Sequence, residues 1–161
     1  MADHSAKLAK LQRRLPKGVL KLDERTRAVH TGDKWFASEL PDAVALPRTV
    51  KAISEILKFA ARNNIPVTAR GAGFGYVGGC VPVYKGISLS LARMNRICEI
   101  SSADFVAVVQ PGVVTADLQE RVEEIGLYYP PDPASSSDCS VGGNIATNAG
   151  GPRSVKYGVT R

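Results

Sequence analysis

The chain has 161 residues, 44% of them apolar, and a formal charge of +6, which is enough apolar material for a sizeable core and unlike the composition of a disordered tract. Its apolar runs are broken by charges, Pro or Gly well short of the roughly 18 residues a membrane span needs, and no signal-peptide pattern follows Met1, so a soluble, cytoplasmic protein with no transmembrane segment is expected. Cys80, Cys98 and Cys139 have no paired spacing, so neither a disulfide framework nor a zinc or other metal site is suggested; the positive excess gathers in Lys7, Lys10, Arg13, Arg14, Lys17, Lys21, Arg25 and Arg27 without interleaved aromatics, so no nucleic-acid partner is expected.

Residues 3–15 carry Leu8, Leu11 and Leu15 at helical spacing between basic residues, a short amphipathic helix expected to pack on its own domain and to stop at Pro16 and Gly18. Residues 17–46 show no regular pattern. Thr49 then caps a predicted helix with Val50, Ile53, Leu57 and Ala60 on one face, ended by Asn63-Asn64 and Pro66. A strand at Val67–Ala69 runs into a glycine-rich loop, and a second strand follows at Ile87–Leu91. Two more strands, Ile97–Ile100 and Phe105–Val109, flank the turn formers Ser101–Asp104. Thr115 is predicted to cap a helix that places Asp117 in its first turn and Leu118, Val122 and Ile125 on one face, with Gly126 as the stop. From Pro130 to Pro152 the chain reads as a loop, long enough to be functional.

Two glycine runs stand out: Arg70-Gly-Ala-Gly-Phe-Gly-Tyr-Val-Gly-Gly79 and Ser140-Val-Gly-Gly-Asn-Ile-Ala-Thr-Asn-Ala-Gly-Gly151. Gly73, Gly75 and Gly78 match the letters of a dinucleotide fingerprint, but Gly78-Gly79-Cys80-Val81-Pro82 is a poor helix opening, and Arg93 and Arg96 stand where an acidic residue is wanted. A P-loop is excluded because no Gly-Lys-Ser/Thr follows. What remains for Gly71–Gly75 is a strand-to-loop turn whose consecutive N–H groups form an anion cradle, with Arg70 either supplying charge or acting structurally. In the second run Asn144, Thr147 and Asn148 alternate with small residues, which suits a flat ring with polar atoms at its edge; a helix N-terminus packed on a sheet is the other reading.

Together with Pro111-Gly112, Pro131-Asp132-Pro133 and Lys156-Tyr157-Gly158, these runs resemble the FAD-binding (PCMH-type) domain of the vanillyl-alcohol oxidase superfamily, and more narrowly its D-lactate dehydrogenase and glycolate oxidase group. The resemblance covers about residues 41–161. It implies an α+β fold, with a small βαβ-like subdomain and the start of a second, antiparallel-sheet subdomain. Residues 1–40 would be an N-terminal helical arm, and 41–161 an FAD-binding domain truncated at its C-terminal side. It further implies an FAD cofactor whose pyrophosphate is held by Arg70, Gly71, Ala72, Gly73, Phe74 and Gly75. Asp132, Ser140, Val141, Gly142, Gly143, Thr147, Asn148 and Ala149 would line the stretch from diphosphate to flavin, with Pro47 near the adenine end. Phe74 stands where relatives with covalent flavin have histidine and most of the nearer group have threonine, so non-covalent FAD is expected.

The resemblance implies an FAD-dependent oxidoreductase that oxidises a 2-hydroxy acid such as D-lactate or glycolate by hydride transfer to flavin N5. The catalytic base and substrate-binding groups would belong to a missing C-terminal cap or a partner subunit, leaving the 161-residue chain inactive by itself. A noncatalytic flavin-binding or assembly fragment, or the same domain serving a different alcohol, are the alternatives. No residue of this chain is nominated as the base. His4 and His30 are expected in solvent-exposed or capping roles.

Overall fold

The computed structural model describes residues 4–161, in two units, one up to Arg93 and the other from Met94. Helix α1 (Ser5–Arg14) turns Leu8 and Leu11 inward, and Leu15 is buried at its C-cap. All three enter the core of the first unit, so the helix packs on its own unit as its leucine spacing predicts; Asp3, in the predicted helix, lies outside the described residues. His4 is buried at the N-cap without a capping side-chain bond, in place of the exposed or capping role expected of it.

The stretch without a readable pattern holds three short elements: β1 (Leu20–Lys21), α2 (Glu24–Ala28) and β2 (Ala43–Ala45). None is long enough to show a period, which is why pattern reading passed over them. Asp23 caps α2 by accepting from the Thr26 N–H at 2.9 Å, and hydrogen bonding to the Thr26 side chain first, then to its N–H, pulls the carboxyl below the ordinary carboxylate range.

Helix α3 (Val50–Arg62) begins where predicted, with Thr49 Oγ1 accepting from the Ala52 N–H at 3.2 Å. Its buried stripe is Ala52, Ile56, Phe59 and Ala60, while Val50 and Leu57 are exposed. Of the predicted face, Ala60 is buried and Ile53 packs against the core, but the centre of the stripe is rotated toward Ile56 and Phe59. Both sets satisfy a 3.6-residue period, and the requirement to cover the sheet selects the one containing Phe59.

Strands β3 (Val67–Arg70) and β4 (Ile87–Ser90) complete a four-stranded sheet in the order β1-β2-β4-β3. β2 and β3 both run parallel to β4, whereas β1 is antiparallel to β2. β2–α3–β3 is thus a crossover unit with β4 inserted between its strands, the arrangement that buries β2 and β4 along their whole length. The long loop from β3 to β4 contains no helix, as the rejection of a dinucleotide fingerprint required.

In the second unit β5 (Ile97–Ser101) and β6 (Val106–Val109) form an antiparallel hairpin whose turn holds Phe105 at φ 55°. Helix α4 (Thr115–Glu123) buries Thr115, Leu118 and Val122, but Ile125 lies beyond its end and is exposed. Gly126, at φ 76°, turns the chain out of the helix. Thr115 does not cap: Val114 occupies the cap position, and the Thr115 hydroxyl is buried among side chains instead. The region read as a loop contains α5 (Val141–Thr147) and α6 (Ser154–Tyr157). Glycine-rich sequence has poor helix propensity, and α5 forms because its first turn is bonded to the chain it packs against. Val113, Leu118, Val122 and Val141 make the core here, flanked by Ile97, Ile100, Ala107 and Val109 from the hairpin. A crossover unit in the first unit and an antiparallel hairpin in the second give the α+β class expected.

Candidate cofactor site

In the first unit, β3 delivers Arg70 to the start of the glycine loop. The Ala72, Gly73, Phe74 and Gly75 N–H groups have no protein hydrogen-bond partner among the described residues, and Gly73 has φ +80°. Consecutive free N–H groups around a left-handed glycine form a concavity that binds anions. The residues present therefore fit a diphosphate group.

Arg70 is turned back into its own loop. Its Nη1 donates to the Gly32 carbonyl and, at 3.2 Å, to Cys80 Sγ, and a Cβ on Gly73 would run into the guanidinium. The loop is thus wrapped around an arginine that binds protein groups. Burial raises the Cys80 thiol above its ordinary value, opposed by the Arg70 charge, so the sulfur beside Arg70 remains a thiol at neutral pH. Cys139 is also buried, and Cys98 is exposed. Among the described residues no group of His, Cys, Asp and Glu is placed to hold a metal ion.

The segment Thr31–Ser38 had no signal in the sequence, yet it lies along this loop. Lys34 N–H donates to the Gly75 carbonyl at 2.9 Å, the Lys34 ammonium sits 4.6 Å from the Phe74 ring centroid, and Asp33 Oδ1 accepts from the Trp35 N–H at 2.9 Å. Together segment and loop line a cleft of about 320 Å³. Nearby, His30 Nδ1 lies 2.8 Å from the Thr26 carbonyl; burial holds its pKa down, the Thr26 contact opposes this, and the Arg70 charge adds to the lowering. Pro47 is fully buried between β2 and α3, leaving its ring no free face.

In the second unit, the N–H groups that open α5 are already taken. Val141 donates to Val113, Gly142 to Pro111, Gly143 to Ser140 Oγ and Asn144 to the Ser140 carbonyl. Gly142 has a packing reason, since a Cβ there would stand 2.6 Å from Pro111 Cβ and 2.9 Å from its carbonyl oxygen. Gly151 is likewise pressed against the Asp132 carbonyl. Asp132 carries an ion pair with Arg153 at 3.3 Å.

Asn144 does not alternate outward with Thr147 and Asn148. It is 3% exposed and donates through Nδ2 to Thr115 Oγ1 at 2.6 Å, and that hydroxyl contacts Cys139 Sγ at 3.2 Å. The buried set of Thr115, Cys139 and Asn144 was missed because its members are 24 and 29 residues apart in sequence. Thr147 and Asn148 are exposed on the last turn of α5, Thr147 Oγ1 donating to the Gly143 carbonyl at 2.9 Å. Ala149 is half-buried, and its carbonyl receives the Thr160 N–H at 2.9 Å and hydroxyl at 2.8 Å.

Residues 41–161 match the family model described as FAD binding domain. The chain belongs to the FAD-binding domain family. It is 46% identical over 122 residues to glycolate oxidase subunit GlcD of Bacillus subtilis, covering 76% of this chain and 26% of that protein. With D-lactate dehydrogenase of Anaerostipes hadrus it shares 40% over 147 residues, covering 91% and 31%. The chain thus spans less than a third of these relatives. An alkyldihydroxyacetonephosphate synthase structure superposes with TM-score 0.86 at 24% identity, covering 98% of this chain and 34% of that one, which shows the shared fold. A 4-ethylphenol oxidase from Gulosibacter chungangensis gives TM-score 0.78 at 29% identity over 91% of this chain and 29% of that one. Among the described residues no helix of this family member is long and apolar enough to cross a membrane.

Proposed function

We propose that this chain is the flavin-holding part of an FAD-dependent oxidoreductase that oxidises a small 2-hydroxy acid, D-lactate or glycolate being the leading candidates. The observation that carries the proposal is the row of free N–H groups from Ala72 to Gly75, centred on a left-handed glycine in a chain of FAD-binding descent. The substrate class is drawn from the names of the relatives, glycolate oxidase and D-lactate dehydrogenase.

When bound, the flavin supplies the acceptor for hydride from the alcohol carbon. The work of this chain is binding and orientation. The Ala72–Gly75 N–H groups hold phosphate oxygens, with Gly71 and Arg70 shaping the approach to them. In the second unit, Thr147 and Asn148 offer exposed side chains and Ala149 a small one for cofactor contact at the end of α5, whereas the Val141, Gly142 and Gly143 N–H groups are bonded within the protein and Asp132 is paired with Arg153. Phe74 offers no nucleophile for a flavin linkage, so the cofactor is held without a covalent bond. The base that takes the hydroxyl proton, and the groups that choose the substrate, belong to a further domain or a partner subunit.

The test is the visible spectrum of the purified chain after incubation with FAD. Retained yellow colour, released by acid precipitation, is the expected result, without bleaching by D-lactate or glycolate under anaerobic conditions. A longer form of the protein, extended to the length of its relatives, should bleach with one of the two acids. A chain that takes up no FAD would overturn the cofactor reading, and colour that stays with the acid precipitate would overturn non-covalent binding.

A further inference from the structure

We propose that Lys34, which lies outside the part of the chain matched by the family model, supplies the positive charge for the cofactor's diphosphate, and that Arg70 shapes the loop without binding the phosphates. The inference rests on the FAD reading above and concerns the first unit alone.

A diphosphate carries negative charge that backbone N–H groups solvate only in part, so a phosphate cradle gains from a cation at its edge. Arg70 is the residue that sequence reasoning puts there. Its guanidinium is instead committed to the Gly32 carbonyl and to Cys80 Sγ. It lies under Gly73, so close that a Cβ on that residue would collide with it. An arginine in this position sets the path of the loop.

Lys34 is placed differently. It is exposed, and its backbone N–H is bonded to the Gly75 carbonyl at 2.9 Å, which ties the segment Thr31–Ser38 to the end of the same loop. Its ammonium rests 4.6 Å from the centroid of the Phe74 ring, within cation–π range. Lys34 thus lines the same cleft as Ala72, Gly73 and Phe74. Among the described residues no carboxylate is ion-paired to Lys34.

Charge balance points the same way. The cleft is lined by two cations, Lys34 and Arg70, against one carboxylate, Asp33. Without Lys34 the lining is formally neutral, and Asp33 faces the loop unopposed at its Gly75 end. With Lys34 the cleft is cationic, as anion binding requires. Lys34 was not singled out by the sequence because it sits in the patternless stretch before β2, remote from either glycine run.

The experiment titrates the 161-residue chain with FAD and with riboflavin, which lacks phosphate, following flavin fluorescence at several salt concentrations. Lys34→Met should weaken FAD binding by about tenfold, the loss of one charge-assisted contact, and flatten its salt dependence. Lys34→Arg should restore most of the affinity. Riboflavin binding and the thermal midpoint should be the same for wild type and Lys34→Met, whereas Arg70→Met should lower the midpoint and weaken both ligands. Equal FAD affinity in wild type and Lys34→Met overturns the role of Lys34 while leaving the FAD reading intact. Equal weakening of FAD and riboflavin by Lys34→Met overturns it in favour of a packing role. A wild-type chain that binds no FAD overturns the FAD reading itself, and the role of Lys34 with it.

Discussion

Gly73 is a residue whose identity is dictated twice, by its φ of +80° and by the Arg70 guanidinium where a side chain would begin. Gly73→Val should therefore cost about 1–3 kcal/mol of stability and abolish FAD retention; unchanged retention would mean that the loop is only a turn. The buried Asn144–Thr115 bond makes a different kind of prediction. Thr115→Val keeps the shape and removes the acceptor, leaving the Asn144 amide unsatisfied at a cost of about 1–3 kcal/mol, read from the urea midpoint. A second change, Asn144→Leu, added to Thr115→Val should cost less than the two single changes summed. His30 supplies a pH signature. Burial lowers its folded-state pKa, so the unfolded chain binds more protons between the two values. The stability is complete above the ordinary histidine value of about 6.5 and is lost as pH falls through the lower folded value. The urea midpoint should fall from about pH 7 to pH 5, and His30→Gln should flatten that slope.

At the scale of elements, capping and close approach decide more than propensity. Thr49 caps α3 through a bond to Ala52 N–H, so Thr49→Ala should lower stability by about 1 kcal/mol, measurable by thermal unfolding. Helix α5 exists despite its glycines because Val141, Gly142 and Gly143 give their N–H groups to Val113, Pro111 and Ser140. Gly142→Ala places a methyl group against the Pro111 ring and carbonyl; it should raise helix propensity and still destabilise by about 1–3 kcal/mol, as read by urea unfolding. The Thr49 cap, the Gly126 stop and most strand positions were legible, since they and the runs Val67–Arg70 and Val106–Val109 act through neighbours in sequence, whereas Thr115, read as a cap, is buried one position inside α4. The phase of α3 was legible only in part, since Ile53 and Ala60 meet the core but Val50 and Leu57 do not. Val50-Ile53-Leu57 and Ala52-Ile56-Phe59 are equally periodic, and only the sheet beneath the helix distinguishes them.

At the scale of the whole molecule, each unit carries its own core, one built on Leu8, Leu11, Ile56 and Ile87 and the other on Val113, Leu118, Val122 and Val141. The two glycine runs belong one to each unit, and the recovery of FAD from the acid supernatant of the purified chain is the measurement that reads the whole chain at once. The sequence by itself determined the family, the α+β class and the position of the glycine loop after β3. These follow from local grammar: glycines where the backbone needs them, caps, and alternating strands. Tertiary structure alone decided which side chains those backbones spend on one another. Arg70 is drawn inward by Gly32 and Cys80, Asn144 by Thr115, and Lys34 is brought to Phe74 by a segment with no pattern of its own. The physical reason is that a hydrogen bond or an ion–ring contact depends on distance in space, and residues far apart in the chain leave no periodic trace of meeting.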